Sequence, residues 1–245
     1  MNDFFALYEC LIEEIHSNRP ITATLTGSLW ACVSADDRCG IAMATPGSTV
    51  PPVYPQGFPG MPLAQAAAAL KSWNLEEASL ALAAINAALN TAERVQAGNI
   101  YVPLEIHYTD DLDFTGKTVG VVGHMRGSKR MHQQAKQIYY LERDPKQGDY
   151  PDPACEVLLP QCDIVLITGS SLINKTLPRL LALSCDAYTV LTGPSVPLCP
   201  ALLDFGIDRL AGLVVTERAE MAEHVRENRR GNPYGFGKSF LLKKD

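Results

Sequence analysis

The chain has 245 residues, a formal net charge of −6 and a pI near 5.4, and 47% of its residues are hydrophobic. This composition is typical of a globular protein, and the length is sufficient for two domains. The basic residues are scattered, so we expect no nucleic-acid partner. Acidic residues among the first twenty positions argue against a secretory leader. No apolar run approaches the ~20 residues that a membrane span needs, so we expect a cytoplasmic protein without a membrane partner.

The seven cysteines are spread along the chain and form no C-x-x-C pair. This usage predicts free thiols in a reducing compartment and argues against a structural zinc site. Cys32 and Cys39 flank a predicted hairpin turn, where they can meet, and we expect both to stay reduced.

The first half of the chain predicts a small domain built from helices and a hairpin. Helical spacing of apolar residues is found over 4–15, 64–73 and 76–95, and strands are predicted over 22–33 and 41–44. Trp30, in the first strand, is predicted to lie in the core. Asn86, in an alanine-rich helix, is predicted to have a structural role, and the alternative is a contact to the cleft. Residues 46–62 contain six prolines and three glycines, which predicts an ordered loop and a candidate lid.

The second half predicts a parallel sheet, because strands and helices alternate there. The acidic, turn-rich stretch 109–117 predicts a domain boundary, which gives domains 1–112 and 113–245. A closing helix is predicted over 219–228, and the tail after Gly231 is predicted to be a loosely held extension. Strands are predicted over 118–122, 138–141, 164–168, 189–191 and 210–215.

Small and hydroxyl-bearing residues end two of these strands. The apolar run 164–168 includes Thr168 and is followed by Gly169 and Ser170, and the next strand is closed by Gly193, Pro194 and Ser195. In open α/β sheets, ligands bind outside the carboxyl ends of the strands. The two turns therefore predict the binding site.

Gly123, His124 and Glu142 follow the first two strands of the same sheet. Gly123 lies in an incomplete dinucleotide fingerprint, but Glu142 lies 19 residues beyond it, close to the separation at which an acidic residue binds a ribose or another diol. The alternative for Glu142 is a solvated charge paired with Arg143. His124 can act as a proton shuttle or a metal ligand, and the alternative is a capping or surface histidine.

Asn174 and Thr176 precede a predicted helix that begins near residue 177. Both are natural caps for its free amide groups. The alternative is that this helix start offers amides and hydroxyls to an anionic ligand.

Seven segments of the chain are distinctive: SLWACV (28–33), RCGIA (38–42), LALAAINAALN (80–90), VVGH (121–124), LERDP (141–145), LLPQCDIVLITGSSLINKTLPRLL (158–181) and GPSVPLCP (193–200). Together they resemble the putative heavy-metal chelation family, a bacterial and archaeal group of unassigned activity. The resemblance implies an α/β fold in which a smaller α+β domain, similar to the amino-terminal domain of enolase, packs on a Rossmann-like domain with a parallel sheet. It also implies a cleft between the two domains.

The leading hypothesis is a protein that binds a small polar or anionic metabolite, including a metal chelate, in that cleft. The resemblance implies condensation or hydrolysis in pterin, flavin or siderophore-like chelator metabolism, with His124 as the candidate general acid or base. One alternative is a non-enzymatic metal or metal-complex binding protein that uses His124, Met125, Met131, His132 and the cysteines near the second domain. Another is a nucleotide or S-adenosylmethionine dependent transferase. The residues identify no cofactor and no metal, and a homo-oligomer is left open.

Overall fold

The computed structural model describes residues 4–98, 101–104, 108–125, 127–229 and 231–244. The chain forms two β-sheets with helices around them. The small antiparallel sheet contains β1 (Ala23–Thr26), β2 (Trp30–Ala35) and β3 (Arg38–Met43), in that order. The large sheet contains β4 (Tyr101–Pro103), β5 (Thr118–Val122), β6 (Gln137–Glu142), β7 (Tyr150–Pro151), β8 (Ile164–Thr168), β9 (Tyr188–Thr192), β10 (Arg209–Val215) and β11 (Gly237–Lys243). The α-helices are α1 (Ala6–Glu13), α2 (Leu63–Ala67), α3 (Leu75–Leu89), α4 (Ala92–Ala97), α5 (Lys129–Gln134), α6 (Cys155–Leu158), α7 (Leu177–Leu183) and α8 (Arg218–Arg226).

The large sheet has the strand order β4-β11-β10-β9-β8-β5-β6-β7. Strands β5 to β10 pair in parallel, whereas β11 and β4 add an antiparallel edge. Alternate residues of β8 face different clusters: Val165 and Ile167 belong to the main core, and Ile164 and Leu166 to a second cluster. Burial on both faces explains why this strand is a continuous apolar run. The two-domain α/β fold is therefore confirmed.

Helix α3 packs on β2 and β3 of the small sheet and contributes to the core that the second half shares. Asn74 caps it by accepting a hydrogen bond from the backbone N–H of Glu77. Most of its residues are buried, and its alanines belong to the same core as Leu172 and Leu198 of the second half. Asn86 donates from Nδ2 to the backbone oxygen of Ile41, 2.8 Å away, as its predicted structural role requires. One continuous core thus joins the two halves.

Three sequence predictions need correction. The predicted strand over 22–33 is divided into β1 and β2, because the chain turns at Gly27, whose N–H donates to the oxygen of Trp30. The predicted helix over 76–95 ends at Asn90, and α4 begins after Thr91, which caps it. The tail is not a loose extension, because residues 237–243 pair with β10 along its whole length and bury Leu242.

The proline-rich loop is anchored to the start of α3. The side chain of Glu77 accepts hydrogen bonds from the N–H groups of Val53 and Tyr54, and Asn74 donates from Nδ2 to the oxygen of Val50. These bonds agree with the predicted ordered loop, and its role as a lid stays a prediction. The domain boundary at residue 112 also stays a prediction, although β4, which precedes it, lies in the large sheet.

The cysteines of the described chain are free, with the Sγ atoms of Cys32 and Cys39 3.5 Å apart across the hairpin. None of the helices in the described ranges is long and apolar enough to cross a membrane.

Candidate functional site

A cavity of about 1010 Å³ lies at the carboxyl ends of β5, β6, β8 and β9, where the hairpin of β2 and β3 meets the large sheet. Trp30, Met43 and Pro46 line it from the hairpin side. Its volume is at the upper end of the range for small-molecule sites. The topology places it where open α/β sheets bind ligands.

Most of the residues predicted for the site lie in the wall of this cavity. Two do not: Gly169 packs against Val196, and the Oγ of Ser195 accepts a hydrogen bond from the N–H of Met43, 2.9 Å away. Ser195 therefore joins the two halves of the molecule. The predicted residues in the wall are Gly123, His124, Glu142, Thr168, Ser170, Asn174, Thr176, Gly193 and Pro194.

His124 and Glu142 form a pair in the wall of the cavity. Strands β5 and β6 are parallel neighbours, and Val122 lies opposite Leu141, so the end of β6 comes close to the residues that follow β5. The Nδ1 atom of His124 is 3.0 Å from Oε1 of Glu142. The partner of Glu142 is therefore His124 and not Arg143. About half of the His124 side chain is exposed, whereas only 19% of the Glu142 side chain is.

Asp149 is a third member of this cluster, and no sequence signal indicates it. Its Oδ2 is 3.6 Å from Nδ1 of His124, and its side chain is 9% exposed. The same oxygen accepts a hydrogen bond from the N–H of Lys146, which fixes the turn before β7. Because β7 has only two residues, its pairing with β6 could not be recognised from the sequence.

The turn after β8 presents amide and hydroxyl groups to the cavity. The Oγ1 of Thr168 accepts from the N–H of Ser170 and lies 3.1 Å from its Oγ. The Oδ1 of Asn174 accepts from both the N–H and the Oγ1 of Thr176. These bonds form a local turn before α7. The prediction that Asn174 and Thr176 cap this helix needs correction, because Thr176, the residue at its N-cap, makes no capping hydrogen bond with its side chain, and Asn174 accepts only from Thr176. The Nδ2 of Asn174 donates to no residue of the described chain. That amide group is free for a ligand.

Lys175, between these two residues, has a different environment. Its backbone is left-handed, with φ of 63°, and its side chain is 4% exposed. The Nζ atom donates to the oxygen of Ile173, 2.8 Å away. Burial lowers the pKa of this ammonium to about 8, although Glu77 acts in the opposite direction. A buried ammonium is costly unless it is well paired, so Lys175 opposes folding at neutral pH.

Replacing Lys175 with methionine is expected to stabilise the protein by roughly 2–3 kcal/mol at pH 7. The folded-state pKa lies below the unfolded one, so between pH ~8 and ~10.5 the unfolded chain binds more protons and wild-type stability rises with pH. The difference in the free energy of unfolding between wild type and Lys175→Met should therefore decrease over this pH range. Urea unfolding at pH 7, 8, 9 and 10 measures it, with the exposed Lys136→Met as control. A gap that does not change with pH would mean that packing, and not charge, separates the variants.

Metal ligands are not grouped in the part of the chain that the structure describes: no three His, Cys, Asp or Glu side chains there are arranged to hold a metal ion. His132 belongs to the metal-binding alternative. Its Nε2 atom lies 3.4 Å from the hydroxyl oxygen of Tyr140.

Sequence signals also missed several wall residues. Trp30, predicted to be core, lines the cavity, as do Tyr108 and Tyr234. Tyr234 lies in a 3₁₀-helix just before β11, in the segment predicted to be a loose tail. No pattern marks these residues, because the chain segments that carry them meet only in the folded molecule.

Two family models match the chain. Residues 110–238 match one described as "Putative heavy-metal chelation", and residues 8–89 match a second with the same description. The first match covers β5 to β10, and the second covers most of α1, the hairpin that lines the cavity, and α3.

Solved structures with the same fold include two proteins of unknown function from the family of the first model. One, from Desulfitobacterium hafniense, is 33% identical over 98% of each chain, with a TM-score of 0.86. The other, from Pyrococcus horikoshii, is 18% identical, covers 98% of this chain and 99% of its own, and has a TM-score of 0.75, which shows the fold alone. An uncharacterised protein of Methanocaldococcus jannaschii is 29% identical over 60% of this chain and 58% of its own length.

Proposed function

The chain belongs to the family described as "Putative heavy-metal chelation", and from this premise we propose that it binds a small polar organic molecule in the cavity and exchanges a proton with it through His124. The relatives compared above are described as uncharacterised or of unknown function, so the proposal rests on the geometry of this chain.

The hydrogen bond between His124 and Glu142 carries the proposal. In the neutral imidazole, Nδ1–H donates to the carboxylate of Glu142, which leaves Nε2 as the basic nitrogen. No residue of the described chain hydrogen-bonds Nε2. A carboxylate that holds one ring nitrogen while the other is free is the arrangement of a general acid or base. Asp149, 3.6 Å from the same nitrogen, supports this orientation.

The rest of the wall supports binding of a polar molecule beside His124. The free amide of Asn174 and the hydroxyl groups of Ser170 and Thr176 can orient it through hydrogen bonds. Gly123 and Gly193 have φ of 103° and 120°, a backbone conformation that favours glycine. Thr168 packs against Gly123, whereas the space beside Gly193 is open to a ligand. Condensation and hydrolysis, the reactions implied by the family resemblance, both need a proton transfer of this kind.

A thermal-shift panel tests the proposal. S-adenosylmethionine, nucleotides, pterins, flavins and divalent metals are added to wild type, Asn174→Ala and His124→Gln. A ligand at ~100 times its Kd is expected to add about 2.7 kcal/mol, or about 5–10 °C. The shift should come from one organic class and be reduced in Asn174→Ala.

His16→Gln, which changes an exposed histidine outside the cavity wall, is the matched control for His124→Gln. A shift of equal size in wild type and Asn174→Ala would place the ligand elsewhere. A response to metals alone would favour the metal-binding alternative and contradict the proposal.

A further inference from the structure

Charge is distributed unevenly along the cavity wall. Glu142, Asp144 and Asp152 line the end formed by β6 and β7, and Asp149 lies behind His124 at the same end. Arg143 is the only lysine or arginine among the described wall residues. Arg179 forms a salt bridge with Asp152 and so neutralises the charge of that carboxylate. Even with both arginines counted, carboxylates outnumber them, so this end attracts positive charge.

The other end of the cavity is aromatic. Trp30 and Tyr234 pack in one cluster with Val215 of β10 and with Phe236, at the side of the sheet where β10 and β11 lie. Burial raises the pKa of Tyr234 to about 12, so its phenol is neutral at physiological pH. These rings offer apolar surface without charge.

The strand order separates the two ends. β11 and β6 lie five strand positions apart in the sheet, with β10, β9, β8 and β5 between them. At about 4.8 Å per position, this is a span of roughly 24 Å. A ligand that uses both ends must therefore be elongated.

We infer that the ligand is an elongated organic cation, with a ring near Trp30 and Tyr234 and a protonated amine near Glu142 and Asp144. This inference rests on the proposed function, because it names the class of molecule that the same cavity binds. It differs from the anionic ligand expected from the start of α7, since the charges of the described wall favour the opposite sign. A carboxylate in the same place would face Glu142, Asp144 and Asp149 and be repelled.

Two fluorescent probes with the same ring and linker test the sign of the charge. N-dansyl-1,11-diaminoundecane ends in an ammonium group, and dansyl-12-aminododecanoate ends in a carboxylate. Their long linker lets the ring and the charged group approach the two ends of the cavity together. Binding is measured from the blue shift of dansyl emission at low salt. The ammonium probe is expected to bind at least tenfold more tightly, which corresponds to about 1.4 kcal/mol. The preference should shrink at high salt, because ions screen exposed charges.

Asp144→Asn and Glu142→Gln should each weaken binding of the ammonium probe severalfold. The affinity for the carboxylate probe should stay the same or increase. Glu220→Gln, which removes the same charge from an exposed position on α8 outside the cavity wall, is the matched control. Tyr234→Leu should weaken both probes alike, because it changes only the ring-binding end.

The outcomes separate the two proposals. Equal or tighter binding of the carboxylate probe would overturn the cation inference and leave the metabolite cavity in place. If the ammonium probe binds more tightly but Tyr234→Leu does not weaken its binding, the ligand does not extend to the aromatic end and that part of the inference is overturned. If neither probe binds, the cation inference fails, whereas the proposed function is decided separately by the thermal-shift panel with Asn174→Ala.

Discussion

Replacing Gly40 with alanine is expected to lower the free energy of unfolding by about 3 kcal/mol or more. Gly40, in β3, packs directly against the backbone of α3. A Cβ atom there would lie 2.1 Å from the oxygen of Ala83 and 2.2 Å from the nitrogen of Ala87. Helix backbone cannot rotate away as a side chain can, so α3 would have to move from the hairpin. That movement would also stretch the hydrogen bond between Asn86 and Ile41.

Urea unfolding monitored by circular dichroism measures this effect. Gly235→Ala is the matched control, because a Cβ at Gly235 meets no atom within 4 Å. The control should stay within about 0.5 kcal/mol of wild type. Similar values for the two variants would show that α3 and β3 are not in such close contact.

Replacing Asn90 with alanine is expected to cost about 3 kcal/mol. Asn90, just after α3, donates from Nδ2 to the oxygens of Val196 and Leu213, and its Oδ1 accepts from the N–H of Leu198. The side chain is buried, so its removal leaves three backbone groups without these partners, and each unsatisfied buried group costs about 1–3 kcal/mol. Water entering the space left by the amide would offset part of this loss.

The same substitution should also weaken probe binding. Val196 and Leu198 follow the turn at Gly193 and Pro194, which lines the cavity, so loosening them disturbs the wall. The exposed Asn18→Ala serves as the control for stability and for binding. If Asn90→Ala behaves like the control, Asn90 does not hold the two halves together.

The turns at the ends of β5, β6, β8 and β9 could be located in the sequence because each follows an apolar strand. Parallel strands bring such turns to one edge of a sheet, which is why His124 and Glu142 could be expected near each other. Their direct hydrogen bond depends on the register of β5 against β6, and no spacing in the chain specifies that register.

Residues far apart in the chain were missed for a related reason. Asp149 reaches His124 through the two-residue strand β7, and Tyr234 reaches the cavity because the tail forms β11. β7 has only two residues and β11 begins with Gly, Lys and Ser, so the patterns of both resemble loops. Trp30 was expected in the core because a large apolar residue in a strand is usually buried.

The sequence by itself determined the elements that depend on local patterns: the buried parallel strands, the alanine-rich helix, the ordered proline-rich loop and the small residues of the turns. The spacing of apolar residues and the residue preferences of turns act over a few positions, so the sequence shows them without knowledge of what each segment packs against. Only the tertiary structure decided which side chains share the cavity, which sign of charge its ends carry, and that Asn90 and Ser195 join the two halves. Asn90 and Ser195 join segments more than 100 residues apart, and the acidic end of the cavity depends on how β6 and β7 pair. The energies of these contacts come from burial and pairing that the linear chain does not contain.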